Sequence, residues 1–365
     1  MPTRMRASSV GSESLRNLLS GTTRAVIFVL VFCVSIGVVA SVDVRMMVSI
    51  VRDAAQFRAA GASVQVLKAQ ESIDGRRCEA LAHTDALLHA GAIRRGDSLQ
   101  IASLPTSWIT VIEVTPGVLG MLSTIAQPVK VSTNDVLGVW LSADLAEVLG
   151  AAPGRVIQTT SGPVMVSGVY TWPNDGRSRD LGYSVIASVP SSGLFEQCWT
   201  EIWPSDQTLN GLSYMALNGS VQHSQIETKQ LNSSLGVSDD LEVLYGNRLT
   251  AYAPWVSTAI GFGLGYVSVR LRRLEIASAL HARVGRVAIM WQYLIETLIW
   301  ASGACLIIAA GLLWVSFVDN PYPDWMIWRA GLRILGAGLS ACILGVVVVV
   351  STTFEKHLFR FSKDR

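Results

Sequence analysis

The sequence predicts an integral membrane protein: four transmembrane α-helices, with a large extracytoplasmic α+β domain inserted between the first and second. Three observations predict it. Half of the 365 residues are hydrophobic and only 15% are charged, against about 25% in an ordinary soluble chain. The apolar residues gather into four blocks, each long enough to cross about 30 Å of hydrocarbon. Lysine and arginine flank those blocks on alternate sides. The net charge of +2 is too small to suggest a nucleic-acid partner, so the basic residues matter by position.

Residues 1–24 carry Arg4, Arg6, Arg16 and Arg24. Within them Ser12–Ser20 reads SESLRNLLS, whose Leu15, Leu18 and Leu19 give a short helix one greasy face. Such a segment lies along an inner membrane surface; a disordered leader is the competing reading. The first span, 25–42, has no charged residue. A cleaved signal peptide shares its basic flank, but this block is longer than a usual signal core and ends in Asp43-Val44-Arg45 without a clear small-residue cleavage site.

Residues 43–250 are enough for a domain with its own core. Val64–Leu67 alternates as a strand does, and Ser72 or Asp74 offers a cap for a helix through Cys78. Trp108–Val114 reads as one strand closed by Thr115-Pro116-Gly117. A second, β-rich lobe begins near Asp135. It holds a helix over Ser142–Leu149 ended by Gly150, and a hairpin of Arg155–Thr160 with Val164–Tyr170 across Ser161-Gly162-Pro163. Trp172–Gly182 reads as a polar surface loop, Val185–Val189 crosses back toward the first lobe, and Ser220–Asp240 reads as helix and connector.

The later spans are 251–269, 287–318 and 334–354, joined by residues 270–286 and by a short outer loop, 319–333. Basic residues precede the first span, fill 270–286 and return in the tail 355–365 as Lys356, Arg360, Lys363 and Arg365. The positive-inside rule then places both termini and 270–286 in the cytoplasm of a cell-membrane protein. Tyr252, Trp255, Trp314, Tyr322, Trp325 and Trp328 fall near outer span ends, where aromatic rings settle at headgroup depth.

Cys33, Cys305 and Cys342 lie in apolar blocks, which leaves Cys78 and Cys198 outside. In an oxidising compartment the pair reads as a disulfide, two free thiols being the alternative. No metal-ligand spacing, phosphate loop, nucleophile elbow or zincin motif occurs, so no catalytic residue and no metal site is expected. His83 and Asp85 with a distant serine would make a triad only by coincidence; a surface helix accounts for them. Glu296 is the one charge in the third span. An intramembrane carboxylate is a functional candidate by default, either as structural polarity paired with a basic residue of 270–286 or as a proton relay.

Residues 270–286 form a basic elbow between two spans: a plain topological loop, or a place for a soluble partner to push. Here the chain resembles the FtsX-like family, the permease subunits of MacB-type ABC transporters. The order of one span, a large outer domain and three spans is similar. So are Arg272-Arg273-x-Glu275-Ile276-Ala277 with Glu296 beyond, and the outer Leu149-Gly150, Pro153-Gly154 and Gly168-Val169-Tyr170. The family often has glycine where this chain has Arg283. The resemblance implies a homo- or heterodimeric permease coupled to a separate cytoplasmic ATPase that binds the ATP, the chain itself holding no cofactor. It implies docking through Arg272, Arg273 and Glu275, with Ile276 and Leu280 as the apolar contact. Its work would be export or extraction of an amphiphile, peptide or lipoprotein; alternatively, mechanotransmission to a cell-wall hydrolase or an antibiotic-sensing partner. Gly261-x-x-x-Gly265 permits close packing with another helix, across a dimer axis in this reading.

Overall fold

A computed structural model describes Ser12, Ser14, Arg16 and Asn17, and residues 24–84, 87–102, 104–131, 138–203, 207–219, 226–236, 241–318, 320 and 322–354. Arg4, Arg6, the leucines of Ser12–Ser20, Asp85, residues 220–225 and 237–240 of Ser220–Asp240, and the tail 355–365 lie outside these. The chain divides into two compact units, Met1–Arg52 with Val243–Arg365, and Asp53–Glu242.

Helix α1, Ala25–Ala59, runs well past the expected end of the first span at residue 42. The reason is local. No glycine or proline follows Gly37 until Gly61, which takes the left-handed conformation (φ 75°) and stops the helix. Past Asp43, buried Val44, Met47, Val48, Ala54 and Phe57 continue one apolar stripe.

The second unit is built on a sheet of twelve strands among the described residues, ordered β12-β1-β11-β2-β5-β10-β7-β9-β8-β3-β4, with β6 on β9. Strand β1 (Val64–Asp74) leads to helix α2 (Gly75–Ala80). Asp74 caps α2, accepting from the backbone nitrogens of Arg76 and Arg77. Strands β2 (Leu87–Arg95), β3 (Leu99–Ile101), β4 (Leu104–Ile109) and β5 (Val111–Val114) follow. The single strand expected over Trp108–Val114 is thus two, broken at Thr110. Helix α3 (Pro116–Ile125) starts where a turn was expected, because proline suits a first helical position as well as a turn. Then come β6 (Gln127–Val131), β7 (Val139–Ser142), α4 (Ala143–Leu149), β8 (Val156–Thr159) and β9 (Gly162–Thr171).

The expected hairpin is β8 with β9, but its register pairs Thr159 with Gly162. The turn is therefore Thr160-Ser161 rather than Ser161-Gly162-Pro163. The Thr159 hydroxyl donates to the Gly162 carbonyl at 2.6 Å and closes it. Strands β10 (Val185–Ser188), β11 (Leu194–Ile202) and β12 (Glu227–Gln230) complete the unit. β11 pairs antiparallel with β1, and β12 was not anticipated in a stretch so polar.

Two-residue alternation gives the β1–β11 pair two covered faces. Val66 and Trp199 face a cluster with α3; Leu67 and Cys198 face one with α2. A third cluster around Leu141, Leu145 and Val166 is the β-rich lobe. On the α2 face Cys78 and Cys198 form a disulfide, their Cα atoms 5.9 Å apart. The loop after β9 is polar yet anchored from inside. Arg177, only 5% exposed, donates to the carbonyl oxygens of Ile125 and Ala59 and pairs with Asp175. Burial pushes the Asp175 carboxyl up, but Arg177 outweighs it and holds the group below the usual range. Buried Glu201 is bracketed by Arg58 (2.6 Å) and His89 (2.7 Å).

In the first unit, α5 (Leu241–Gly246) precedes α6 (Ala253–Arg270), α7 (Arg273–His281), α8 (Arg286–Phe317) and α9 (Trp325–Thr352). Among the described residues three helices, α1, α8 and α9, are long and apolar enough to cross a membrane. The second of the four expected spans falls on α6, which is not among them. It has 18 residues, with Gly261, Gly263, Gly265 and three hydroxyl residues diluting its apolar content. α9 also begins earlier than residue 334, taking in Arg329 and Arg333 from the expected outer loop. Buried Asp43 pairs with Arg248 at 3.2 Å. Tyr252, Trp255, Trp314, Tyr322 and Trp325 are exposed, while Trp328 is half-buried and donates to the Ala309 carbonyl.

The glycines of α6 show why it is small-residue rich. A Cβ on Gly261 would collide with the Gly338 carbonyl, and one on Gly265 with that of Cys342. The close approach is therefore to α9 of the same chain, not across a dimer axis. Gly263 has open space beside it. Gly265→Ala is expected to cost about 1–3 kcal/mol by forcing the helices apart, and Gly263→Ala almost nothing. Unfolding in a graded SDS titration checks this; equal effects would discard the packing assignment.

Candidate functional site

The elbow is a short helix held between two long ones. α6 runs out at Arg270, and Arg272 (φ −106°, ψ 19°) breaks the helical path before α7 restarts. Glu275 lies in the first turn of α7, where a carboxylate meets the positive end of the helix dipole. The chain then reverses into α8.

Arg272 is the hub. Its Nε donates to Glu275 Oε2 at 2.7 Å, its Nη1 donates to Glu296 Oε2, and its guanidinium lies over the Tyr293 ring, 4.7 Å from the centroid. Glu296 is 3% exposed. Its second oxygen accepts from Asn17 Nδ2 at 2.8 Å and Gln292 Nε2 at 3.4 Å. The Ser14 hydroxyl donates to the Gln292 carbonyl. One buried carboxylate thus gathers the N-terminal segment, the elbow and α8. A buried carboxylate with this many donors is structurally satisfied. Of the two roles open to Glu296, paired polarity is the one this geometry serves.

The expected site residues do not share one face. Glu275 is exposed, Arg273 half-buried and Arg272 mostly covered. Ile276 was expected to contact a partner but is 1% exposed, packed with Val269, Ile289, Tyr293, Val346 and Val349; Leu280 lies partly covered beside it. An isoleucine four residues before Leu280 and next to buried Ala277 stabilises the elbow from within. The outward face consists of Glu275, Ser278, His281 and Arg283. Asn17 and Tyr293 were missed. A lone carboxylate in an apolar run needs donors, which was the only signal for Asn17; Tyr293, whose ring faces Arg272, carried none.

Arg283 stands at a left-handed position (φ 58°). Its backbone nitrogen donates to the Leu280 carbonyl and that of Val284 to Ala279, the paired bonds of a Schellman ending. Glycine fits that conformation without strain, and an L side chain costs about 1–2 kcal/mol. Arg283→Gly is therefore expected to raise the unfolding midpoint, by up to about 1 kcal/mol after the backbone entropy of the unfolded chain is set against it. A lowered midpoint would show that the arginine side chain holds the turn.

Among the described residues no group of three or more His, Cys, Asp or Glu side chains could hold a metal ion. No family model matches the chain, and no curated relative matches it. Solved structures do. The periplasmic region of MacB from Actinobacillus actinomycetemcomitans aligns over 53% of this chain and 96% of its own, at 10% identity and a TM-score of 0.37. A domain assigned to a permease protein from Porphyromonas gingivalis aligns over 47% and 94%, at 10% identity and 0.34. The extracellular domain of the noncanonic ABC-type transporter YknZ from Gram-positive bacteria aligns over 41% and 88%, at 13% identity and 0.30.

Proposed function

We propose that this protein is the membrane subunit of a MacB-type ABC transporter, non-catalytic itself, whose elbow receives movement from a separate cytoplasmic ATPase. One observation carries the reading: a short helix between two long helices is pinned from inside by Arg272 and Glu296 while its other face stays exposed. A surface fixed to membrane helices in this way transmits a push instead of absorbing it. α6 then serves as the fourth span. At 18 residues it covers about 27 Å, close to the hydrocarbon thickness. Four crossings keep both basic ends on the cytoplasmic side. Two copies, identical or not, would face one ATPase dimer. The outer domain would act on an amphiphile, a peptide or a lipoprotein.

The test uses the exposed Glu275 and the half-buried Arg273, and leaves the Arg272–Glu296 pair in place. Arg273→Glu combined with Glu275→Lys is expected to abolish stimulation of the partner ATPase, with membrane insertion and melting unchanged. Unaltered stimulation would end the elbow assignment. Efflux from cells, compared with activation of a cell-wall hydrolase, separates transport from mechanotransmission.

A further inference from the structure

The sequence contains few lysines, Lys68, Lys130, Lys229, Lys356 and Lys363; arginine carries most of the positive charge. Two of them meet at one place in the second unit. Lys68 on β1 and Lys229 on β12 stand diagonally on one sheet face, because Val66 pairs with Lys229 and Lys68 with Glu227. Both line one hollow, and burial first, then the charge of Lys229, hold Lys68 below the usual lysine range against the opposite pull of Asp180 and Glu227. Among the described residues Lys68 makes no ion pair. Glu227 reaches only Lys229, at 3.9 Å on the exposed rim, and Asp180 accepts from the Ser178 hydroxyl at 2.7 Å.

Beneath the lysines is a hollow of about 40 Å³, room for about three waters or a few methylenes. Val66, Ile93, Ile112, Leu231, Trp172 and Trp199 line it, and Asp180 stands at it beside the two lysines. The walls are set. Trp199 Nε1 donates to Gln197 Oε1 at 3.0 Å, and Trp172 Nε1 to the Ser178 carbonyl at 2.7 Å in the loop that Arg177 anchors.

Two like charges side by side disfavour each other, and an anion between them removes the repulsion and gains charge-assisted hydrogen bonds. An apolar hollow directly below asks for a chain on that anion. We propose that this hollow binds a single-chain anionic amphiphile, its head between Lys68 and Lys229 and its first methylenes between Trp172 and Trp199. The site stands independently of whether the elbow meets an ATPase.

The test uses the full chain in neutral-lipid nanodiscs with its lysines reductively methylated with ¹³C, a change that keeps their charge. The Lys68 and Lys229 methyl signals are assigned with Lys68→Gln and Lys229→Gln. Octanoate is expected to shift both signals saturably and to raise the pH midpoint of Lys68. Acetate should bind at least about tenfold more weakly, the worth of burying two methylenes, and octanol should leave the midpoint unmoved. Either glutamine variant should remove the response of the remaining lysine without lowering the melting temperature. Acetate equal to octanoate would reduce the site to a loose anion contact, and octanol equal to octanoate to a plain apolar hollow. Either result, or no saturable shift, overturns the proposal.

Discussion

Glu296→Gln is expected to destabilise the first unit by about 3–5 kcal/mol, because it strips a mostly covered Arg272 of its buried counter-charge. The glutamine keeps the shape and one acceptor oxygen, so the loss reports charge and not a cavity. Arg272→Gln should cost a similar amount, since it leaves Glu296 buried and unpaired at 3% exposure. The double substitution should cost clearly less than the sum, as residues that act through each other do. Unfolding free energies from SDS titration of the four proteins close the cycle. A Glu296→Gln protein within about 0.5 kcal/mol of the parent would refute the pinning of the elbow. The same variant should also lose ATPase stimulation, although Glu296 lies too deep to touch a soluble partner.

Opening the Cys78–Cys198 bridge is expected to be equally large. The cysteines are 120 residues apart in sequence, and in the chain-entropy model a loop of that length is worth about 4–5 kcal/mol, or about 10–20 °C in melting temperature for a unit of this size. Cys78→Ser and Cys198→Ser should lower the melting of the outer unit equally, and the double variant should lower it no further. Losses that add would mean that each thiol contributes by packing alone. Both sulfurs sit in the cluster with Leu67, Ile73 and Phe195, so serine also brings a hydroxyl into an apolar site. Alanine variants separate the two costs.

What could be read from the sequence was whatever a local pattern determines. The apolar blocks, the Asp74 cap, the Gly150 ending and the isolated outer cysteines each carry their own signal. The misreadings have equally specific causes. Pro116-Gly117 serves a helix start or a turn, and only the neighbouring Ala90 carbonyl, which leaves no room for a Cβ at Gly117, shows why this helix needs a glycine there. Strand β12 is polar because it is an edge, so alternation could not reveal it. At the elbow, residue types marked the place, but which side chains face out depends on how α7 rolls against α8 and α9. A one-dimensional reading therefore assigned Ile276 to the surface, although Glu275 and Arg283 are the residues exposed there.

At Arg283, where the family often has glycine, the backbone takes the left-handed conformation that glycine fits without strain, so this chain ends the elbow helix at a cost.

The three-way hold on Glu296 has a consequence for biogenesis. A carboxylate within an emerging apolar segment opposes its entry into lipid, by up to about 2.5–3.5 kcal/mol at the segment's centre. Every donor that neutralises or caps it (Asn17, Arg272 and Gln292) precedes it in the chain. Synthesis therefore delivers the partners before the charge, and the α6–α8 hairpin enters as an already compensated unit. An N-terminal truncation should accordingly appear first as slowed insertion of α8, before any loss of function in the molecules that do assemble.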